Sequence, residues 1–307
     1  MTMIRNSQQL IDLFIESKGV QDETLITSLS RIPELSREEF LKLGKVLSND
    51  DIVAKLRPAD KRLVWHVAMP KSGSTWVSSV LKKGLSGKGW KNVNLLPTYG
   101  HREQEVVPLE ILRQSGLNDN VFAAHQHCSY SSYAFNFIKT FNVHLILQVR
   151  NIADCILSYI DHLNKGEVVI PYGHQTVDTW AGYSDEQKLS FVVNILVPWY
   201  VDFWAGWSSG LKDNNISYCL VTYDDLIANP SSEFQRVASY CDSSITGSEV
   251  NAWLELGRKS NTRKNKGVAG RGESLPLWVH ERLQTLTSFY PNTDFSSIGL
   301  GPSYCRR

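Results

Sequence analysis

The sequence predicts a three-layer α/β fold, in which a central and mainly parallel sheet is flanked by helices. Short runs rich in apolar and β-branched residues alternate with helix-like segments from Leu63 onward, and such alternation is typical of parallel sheets. A Gly-containing turn, residues 69–76, joins the first of these runs directly to a predicted helix. The 307 residues suffice to bury a large core. In such folds we expect a ligand at the carboxyl ends of the strands.

Four apolar runs are the predicted strands: Leu63–Ala68, Val121–Ala124, Val143–Val149 and Ile216–Thr222. Predicted helices begin near five residues: Ser74, Ile152, Asp185, Pro230 and Gly247. Residues 1–60 are predicted to form a helical N-terminal extension, with a capping box at Ser36 and Glu39, and residues 61–307 the main domain. The most apolar stretch, Phe191–Trp207, is interrupted by polar residues and Pro198, which predicts a buried helix. Its aromatic residues, Trp199, Tyr200, Trp204 and Trp207, are expected in the core.

Composition narrows the expected compartment and partners. The net charge of +1 predicts no general attraction to nucleic acid or to an anionic membrane, so any anion site must be a local cluster. The five cysteines are odd in number and never in C-x-x-C spacing, which predicts reduced thiols in a cytoplasmic protein. No basic and then apolar signal segment opens the sequence, which favours the same compartment.

The turn at residues 69–76 has the chemistry of a phosphate cradle. Backbone N–H groups at a helix start point at one spot, where the helix dipole also favours an anion. Lys71 adds a positive charge, and Ser72, Ser74 and Thr75 add hydroxyl donors. The lysine precedes Gly73, so the turn is not a Walker A loop.

Two later stretches also place polar residues where predicted strands end. Arg150 closes the strand Val143–Val149, where its guanidinium can bind a phosphate in bidentate fashion. Ser158 lies about two helical turns further on, roughly 9 Å along the axis at 1.5 Å per residue. Tyr223 opens the stretch Tyr223–Pro230 after the last predicted strand.

These three stretches, in this order, resemble the nucleotide-binding motifs of sulfotransferases that use 3′-phosphoadenosine 5′-phosphosulfate (PAPS), which have a P-loop-like fold. Residues 70–76 resemble the 5′-phosphosulfate loop, with Lys71, Ser72, Gly73, Ser74, Thr75 and Trp76 at its positions. Arg150 and Ser158 resemble the 3′-phosphate motif. The resemblance places Trp76 against the adenine and Tyr223 beside it; both aromatics could equally be core residues.

The basic run Arg258–Gly272 resembles the family's R-K-G-x-x-G-x-W loop, which closes over the 3′-phosphate. Lys266, Gly267 and Gly270 align with this pattern. Asn265 stands where the pattern has Arg, and Gly272 stands where it has Trp. Either Arg263 substitutes for the missing arginine, or Arg271 reaches the phosphate.

His125 and His127 follow a predicted strand and stand where the family carries K-T-H. A histidine with a near-neutral pKa suits removal of a proton from an acceptor hydroxyl. The alignment makes His127 the first candidate for the base and His125 the second. A metal site at H-x-H lacks a third ligand at a suitable spacing, so we predict no metal.

The resemblance implies transfer of a sulfuryl group from PAPS to a hydroxyl or amine of a small-molecule acceptor. The catalytic residues would be His127 or His125, with Lys71 on the leaving phosphate and Ser158 restraining Lys71. A P-loop kinase using ATP and Mg²⁺, with Asp224 and Asp225 near the metal, is one alternative, and an inactive nucleotide-binding protein is another. Residues expected to line the acceptor pocket are Tyr99, His101, Gln104 and Glu105. We expect a monomer or homodimer that binds neither nucleic acid nor a membrane.

Overall fold

The computed structural model describes residues 60–95, 106, 111, 114–115, 119–165, 177–258 and 269–301. Residues 1–59 lie outside these described ranges. The helical N-terminal extension, and its boundary between residues 60 and 61, therefore stay predictions.

A parallel sheet forms the centre of the fold. Its strands in the described ranges are β1 Leu63–Ala68, β2 Lys91–Val93, β3 Val121–Gln126, β4 His144–Val149 and β5 Tyr218–Thr222. They lie in the order β2–β3–β1–β4–β5, and every neighbouring pair is parallel. The predicted central parallel sheet is thus confirmed. The carboxyl ends of β1, β3 and β4 meet at one edge, which is where such sheets bind ligands.

Ten α-helices accompany the sheet in the described ranges. They are α1 Ser74–Gly87, α2 Ser132–Thr140, α3 Ile152–Leu163, α4 Val177–Gly182, α5 Asp185–Phe191, α6 Val197–Asp213, α7 Tyr223–Ala228, α8 Pro230–Cys241, α9 Gly247–Arg258 and α10 Leu277–Ser288. A π-helical segment, Val192–Leu196, joins α5 to α6, and short 3₁₀ helices span Arg271–Ser274 and Ser296–Ile298. All five predicted helix starts are confirmed.

Local sequence explains several of these boundaries. The Asn151 side chain accepts a hydrogen bond from the Ala153 N–H and so caps α3 directly after β4. Ser184 and Gln187 form a capping box at the start of α5. Pro230 begins α8, where its missing N–H costs nothing.

Two apolar cores cover the two faces of the sheet. Along β1, Trp65 and Val67 face one core, which includes residues of α2, α3, α6 and α10. Val64 faces the other core, to which α1, α8 and α9 contribute. Alternate residues of a strand point to opposite faces, so a strand buried on both sides is apolar throughout, apart from His66. The three predicted layers are therefore present.

The apolar stretch predicted as a buried helix belongs to a continuous helical segment, Asp185–Asp213. By length and composition it could cross a membrane, and half of its apolar window is buried inside the fold. Tyr200, Trp204 and Trp207 are at most 4% exposed and belong to the first core. The prediction is confirmed for these three aromatics, whereas the fourth, Trp199, is partly buried and packs against the same core.

Gly84 allows α1 and α9 to approach closely. A Cβ at Gly84 would lie 2.0 Å from a ring atom of Trp253, whereas one at Gly87, on the same helix, would meet nothing within 4 Å. We expect Gly84→Ala to lower the free energy of unfolding by about 1–3 kcal/mol through overpacking. Gly87→Ala should be neutral or stabilising by up to about 1 kcal/mol. Urea denaturation measures both, and equal effects would contradict this packing.

Candidate functional site

The turn between β1 and α1 has an unusual backbone. Lys71 and Gly73 have φ values of 65° and 84°, in the left-handed region. The Ser72 hydroxyl donates to the Met69 carbonyl at 2.6 Å, which tightens the turn. Helix α1 begins without a side-chain cap and without an acidic residue in its first turn. The hydrogen bonds of α1 begin with the Trp76 N–H, which donates to the Gly73 carbonyl at 2.9 Å. The N–H groups of Ser74 and Thr75 precede it and are suited to hold an anion.

Three carbonyls of this turn accept hydrogen bonds from other elements. Gln148 Nε2 donates to the Ser72 carbonyl at 2.6 Å, and Arg150 donates to that of Lys71 at 3.1 Å. The Tyr200 hydroxyl donates to that of Pro70 at 3.0 Å. Strand β4 and helix α6 therefore hold the turn in its strained conformation.

Arg150 contacts residues of the other two predicted motifs. Its side chain is only 6% exposed, and one guanidinium nitrogen lies 3.4 Å from Asp154. The guanidinium carbon lies 3.9 Å from the ring centroid of Tyr223, a cation–π distance. Together with the bond to Lys71, these contacts connect the 5′-phosphosulfate loop, the 3′-phosphate motif and the tyrosine stretch.

Tyr223 lies between the loop and the arginine. A Cβ at Gly73 would lie 3.0 Å from the Tyr223 ring. Glycine is therefore suited to this position for two reasons: it tolerates the positive φ, and it lets the ring approach the backbone closely. Burial raises the pKa of the Tyr223 hydroxyl, and the charge of Arg150 acts in the opposite direction. Tyr223 is thus buried against both the turn and Arg150, and its place beside the adenine stays a prediction.

Asp154 joins the arginine to a glycine-rich turn much later in the chain. Its side chain is 1% exposed, and it accepts the N–H groups of Gly270 at 2.9 Å and Gly272 at 2.7 Å. A Cβ at Gly272 would lie 2.3 Å from that of Ala153, so this backbone excludes the tryptophan of the family pattern. Arg271, one candidate for the missing arginine, forms an ion pair with Asp161 at 2.7 Å.

The remaining motif residues occupy different environments. Ser158 lies on α3, buried, and one turn from Asp154 on the same helix face. Ser72 and Ser74 are buried, whereas Thr75 is exposed. The ring of Trp76 is half-buried against Phe234, with centroids 5.1 Å apart.

Several predicted site residues lie outside the described part of the chain: Arg263, Lys266, Gly267, Tyr99, His101, Gln104 and Glu105.

The two candidate bases lie side by side at the end of β3, with ring centroids 5.6 Å apart. His127 Nδ1 is 2.7 Å from the carbonyl oxygen of Ala68, the last residue of β1. His125 Nδ1 is 3.0 Å from the hydroxyl of Ser78 on α1. The structure extends β3 to Gln126, so His125 belongs to the strand rather than following it.

His66, a residue of β1, contacts the same hydroxyl. Its Nδ1 is 3.0 Å from Ser78 Oγ, and its Nε2 is 2.8 Å from Gln148 Oε1. Burial, with a smaller effect of His125, lowers the pKa of His66 to about 3. The imidazole is therefore neutral at physiological pH.

Sequence reasoning missed five residues that support this site: His66, Ser78, Gln148, Asp154 and Tyr200. A signal existed for some of them. His66 and Gln148 are polar residues within buried strands, where an unpaired polar group is costly. Asp154 follows Arg150 by four residues, a spacing that permits an ion pair.

Comparisons with known proteins bear on this geometry. A model of the sulfotransferase domain family matches residues 61–271, more than half of the chain. The chain belongs to the sulfotransferase family. This confirms the family predicted from the motifs and, with it, the class of enzyme, a PAPS-dependent sulfotransferase. The kinase and inactive-protein alternatives are not favoured.

A solved sulfotransferase structure has a similar fold. A crystal structure of mouse sulfotransferase SULT7A1 complexed with PAP matches with a TM-score of 0.55 and 15% identity, covering 82% of this chain and 93% of that one. A structure of retinol dehydratase in complex with androsterone and inactive cofactor PAP has a TM-score of 0.49 and 12% identity, with coverages of 75% and 80%. Comparison with curated protein sequences gives no match.

Asp154 should stabilise this sulfotransferase far more than its neighbour on α3, Asp161. Asp154→Ala leaves the Arg150 charge and two backbone N–H groups without their carboxylate, so we expect a loss of about 3–5 kcal/mol in the free energy of unfolding. Asp161→Ala breaks a partly exposed pair with Arg271 and should cost about 0.2–1 kcal/mol. Urea denaturation of both variants measures these losses. Similar losses of unfolding free energy in the two variants would show that the contacts of Asp154 do not contribute more to stability than the pair of Asp161.

His66 should make stability depend on pH. The unfolded chain binds a proton at His66 near the usual pKa of 6.5, whereas the folded protein does so only near 3. Between these values the unfolded state holds more protons, so stability falls as the pH falls, by about 1.4 kcal/mol per unit. Denaturation of the wild type and of His66→Gln at about pH 7.5 and about pH 5.5 isolates this contribution. Parallel losses in the two proteins would contradict it.

Proposed function

We propose that the protein transfers the sulfuryl group of PAPS to a hydroxyl or amine of a small-molecule acceptor, with His127 as the general base. One observation carries the nucleotide part of this proposal. The Arg150 guanidinium, from the 3′-phosphate motif, donates to the Lys71 carbonyl of the 5′-phosphosulfate loop at 3.1 Å. Elements expected to bind the two ends of one nucleotide are therefore adjacent. The mouse structure of similar fold is a complex with PAP, which supports the same nucleotide here.

The donor would be held mainly by charge and by the loop backbone. The first N–H groups of α1 bind the 5′-phosphate, and Arg150 binds the 3′-phosphate. Trp76, half-buried against Phe234, stacks on the adenine, and Tyr223 lies beside it. Arg263, Lys266 and Gly267 would close over the 3′-phosphate.

With a hydroxyl acceptor, the transfer exchanges one S–O bond for another. The acceptor oxygen forms a bond to sulfur while its proton passes to His127. The bond from sulfur to the bridging oxygen breaks, its electron pair stays on the leaving phosphate, and adenosine 3′,5′-bisphosphate departs. Lys71 neutralises the charge that develops on that oxygen, and Ser158 restrains Lys71 until the acceptor arrives. Positioning and charge stabilisation supply most of the rate enhancement in such a mechanism.

The hydrogen bond at His127 Nδ1 suits the role of a base. A carbonyl oxygen only accepts, so the contact with Ala68 requires a proton on Nδ1. The lone pair of the neutral imidazole then resides on Nε2, which can take the proton of the acceptor. His125 remains the second candidate. An acceptor pocket lined by Tyr99, His101, Gln104 and Glu105, a cytoplasmic location and a monomeric or homodimeric state also belong to this proposal.

Calorimetric titration with two nucleotides tests the proposed function. We expect adenosine 3′,5′-bisphosphate to bind and ATP with Mg²⁺ to bind at least about tenfold more weakly, because Arg150 and the basic loop address a 3′-phosphate that ATP lacks. A mass-spectrometric screen of hydroxyl and amine acceptors with PAPS then identifies sulfated products. Preferred binding of ATP, or tight binding of the bisphosphate without any sulfation, would refute the proposal.

Substitutions should separate chemistry from nucleotide binding. Lys71→Ala should lower kcat by about 10²-fold or more, the scale of one transition-state donor. His127→Ala should abolish transfer while the affinity for adenosine 3′,5′-bisphosphate stays unchanged. Lys83→Ala, an exposed lysine on α1, is the matched control and should leave both readouts intact. Unchanged kcat in Lys71→Ala would remove Lys71 from the mechanism, and retained activity in His127→Ala would transfer the role of base to His125.

A further inference from the structure

A row of buried polar side chains connects the phosphate-binding turn to His125. Gln148 and His66 are 0% exposed, and Ser78 is 3% exposed. Gln148 bonds the Ser72 carbonyl at 2.6 Å and His66 at 2.8 Å, and Ser78 lies 3.0 Å from both His66 and His125. The row is therefore continuous from the turn to the end of β3.

A β-bulge brings His125 to this row. Trp65 pairs with Ala123 and Val67 pairs with Gln126, so two residues of β3 lie opposite the single residue His66. The extra residue reverses the alternation of β3, and Gln126 consequently bonds Trp65 on the opposite face. Without the bulge, His125 would point away from Ser78.

The hydrogen bonds determine where the protons lie, starting from the turn. The Ser72 carbonyl only accepts, so the Gln148 amide nitrogen faces it and the amide oxygen faces His66. That oxygen also only accepts, which requires a proton on His66 Nε2. Because burial keeps His66 neutral, its Nδ1 carries a lone pair and must accept from Ser78.

The Ser78 hydroxyl in turn determines the protonation of His125 at Nδ1. This hydroxyl has one proton, which goes to His66 Nδ1. The backbone N–H of His125 donates to the Ser78 oxygen at 3.1 Å, and the His125 Nδ1 contact at 3.0 Å must be a second donation to it. Nδ1 of His125 is therefore protonated.

We propose that Gln148, His66 and Ser78 form a positioning relay, which holds His125 in its Nδ1–H tautomer beside His127 and ties it to the Ser72 carbonyl of the phosphate-binding turn. When the ring of His125 is neutral, this tautomer carries its lone pair on Nε2, and in that state we expect His125 to help orient the hydroxyl or amine of the acceptor for His127. This role in catalysis rests on the proposed function, whereas the tautomers do not.

NMR of the wild-type protein labelled with ¹⁵N-histidine tests the tautomers directly. Long-range ¹H–¹⁵N spectra distinguish protonated Nδ1 from protonated Nε2, and single His→Gln variants assign the signals. We expect Nε2–H for His66 and Nδ1–H for His125 near neutral pH. An Nε2–H tautomer at His125, or an Nδ1–H tautomer at His66, would overturn the relay, whether or not any acceptor is sulfated.

Two substitutions of His66 separate the ends of the relay. The amide of Asn reaches about as far as Nδ1, so His66→Asn keeps the contact with Ser78 and loses that with Gln148. The amide of Gln reaches about as far as Nε2, so His66→Gln keeps the contact with Gln148 and frees the Ser78 proton to bond His125 Nδ1.

We expect His66→Asn to weaken binding of adenosine 3′,5′-bisphosphate about tenfold with little change in kcat. His66→Gln should lower kcat about tenfold and shift His125 to Nε2–H, with nucleotide affinity within about twofold.

His144→Asn, a histidine of β4 outside the relay, is the matched control and should move neither readout. Circular dichroism confirms that each variant is folded before its kinetics are compared. If both His66 variants change kcat and nucleotide affinity in parallel, or change neither, the relay has no positioning role. Absence of sulfation by the wild type would instead refute the proposed function and leave the tautomer measurement as the test of the relay.

Discussion

The buried guanidinium of Arg150 is the interaction on which the site depends. A charge that is 6% exposed needs compensation from the protein, and three separate segments supply it. Asp154 provides the counter-charge, the ring of Tyr223 covers one face, and the Lys71 carbonyl accepts a hydrogen bond. Through Asp154 the same arginine is also connected to the Gly270–Gly272 turn. Four distant parts of the sequence are therefore organised around one side chain.

Much of this arrangement follows from the sequence, because parallel strands bring their carboxyl ends together. β1, β4 and β5 are adjacent, so the residues after each of them, including Lys71, Arg150 and Tyr223, meet at one edge. Short apolar runs rich in β-branched residues, alternating with helix-like segments, were sufficient to predict four of the strands and five helix starts. β2, with three residues of which two are exposed, has no such pattern.

The supporting contacts could not be predicted for a physical reason: each depends on the relative placement of elements far apart in the sequence. Asp154 bonds backbone groups of Gly270 and Gly272, and any residue type can provide an N–H group. The direction of His125 depends on one extra residue in β3, which breaks the alternation that sequence reasoning assumes. A polar residue in a buried strand signals that it has a partner, but it does not identify that partner.

The order of the strands also bears on how the protein folds as it is synthesised. The central strand β1 leaves the ribosome first, but both of its neighbours, β3 and β4, are made later. Such non-local pairing slows folding and leaves apolar strands exposed in the nascent chain. The backbone N–H groups that Asp154 needs, those of Gly270 and Gly272, emerge after all five described strands. The anchor of Arg150 is thus completed only near the end of translation, and C-terminal truncation before Gly270 would leave it incomplete.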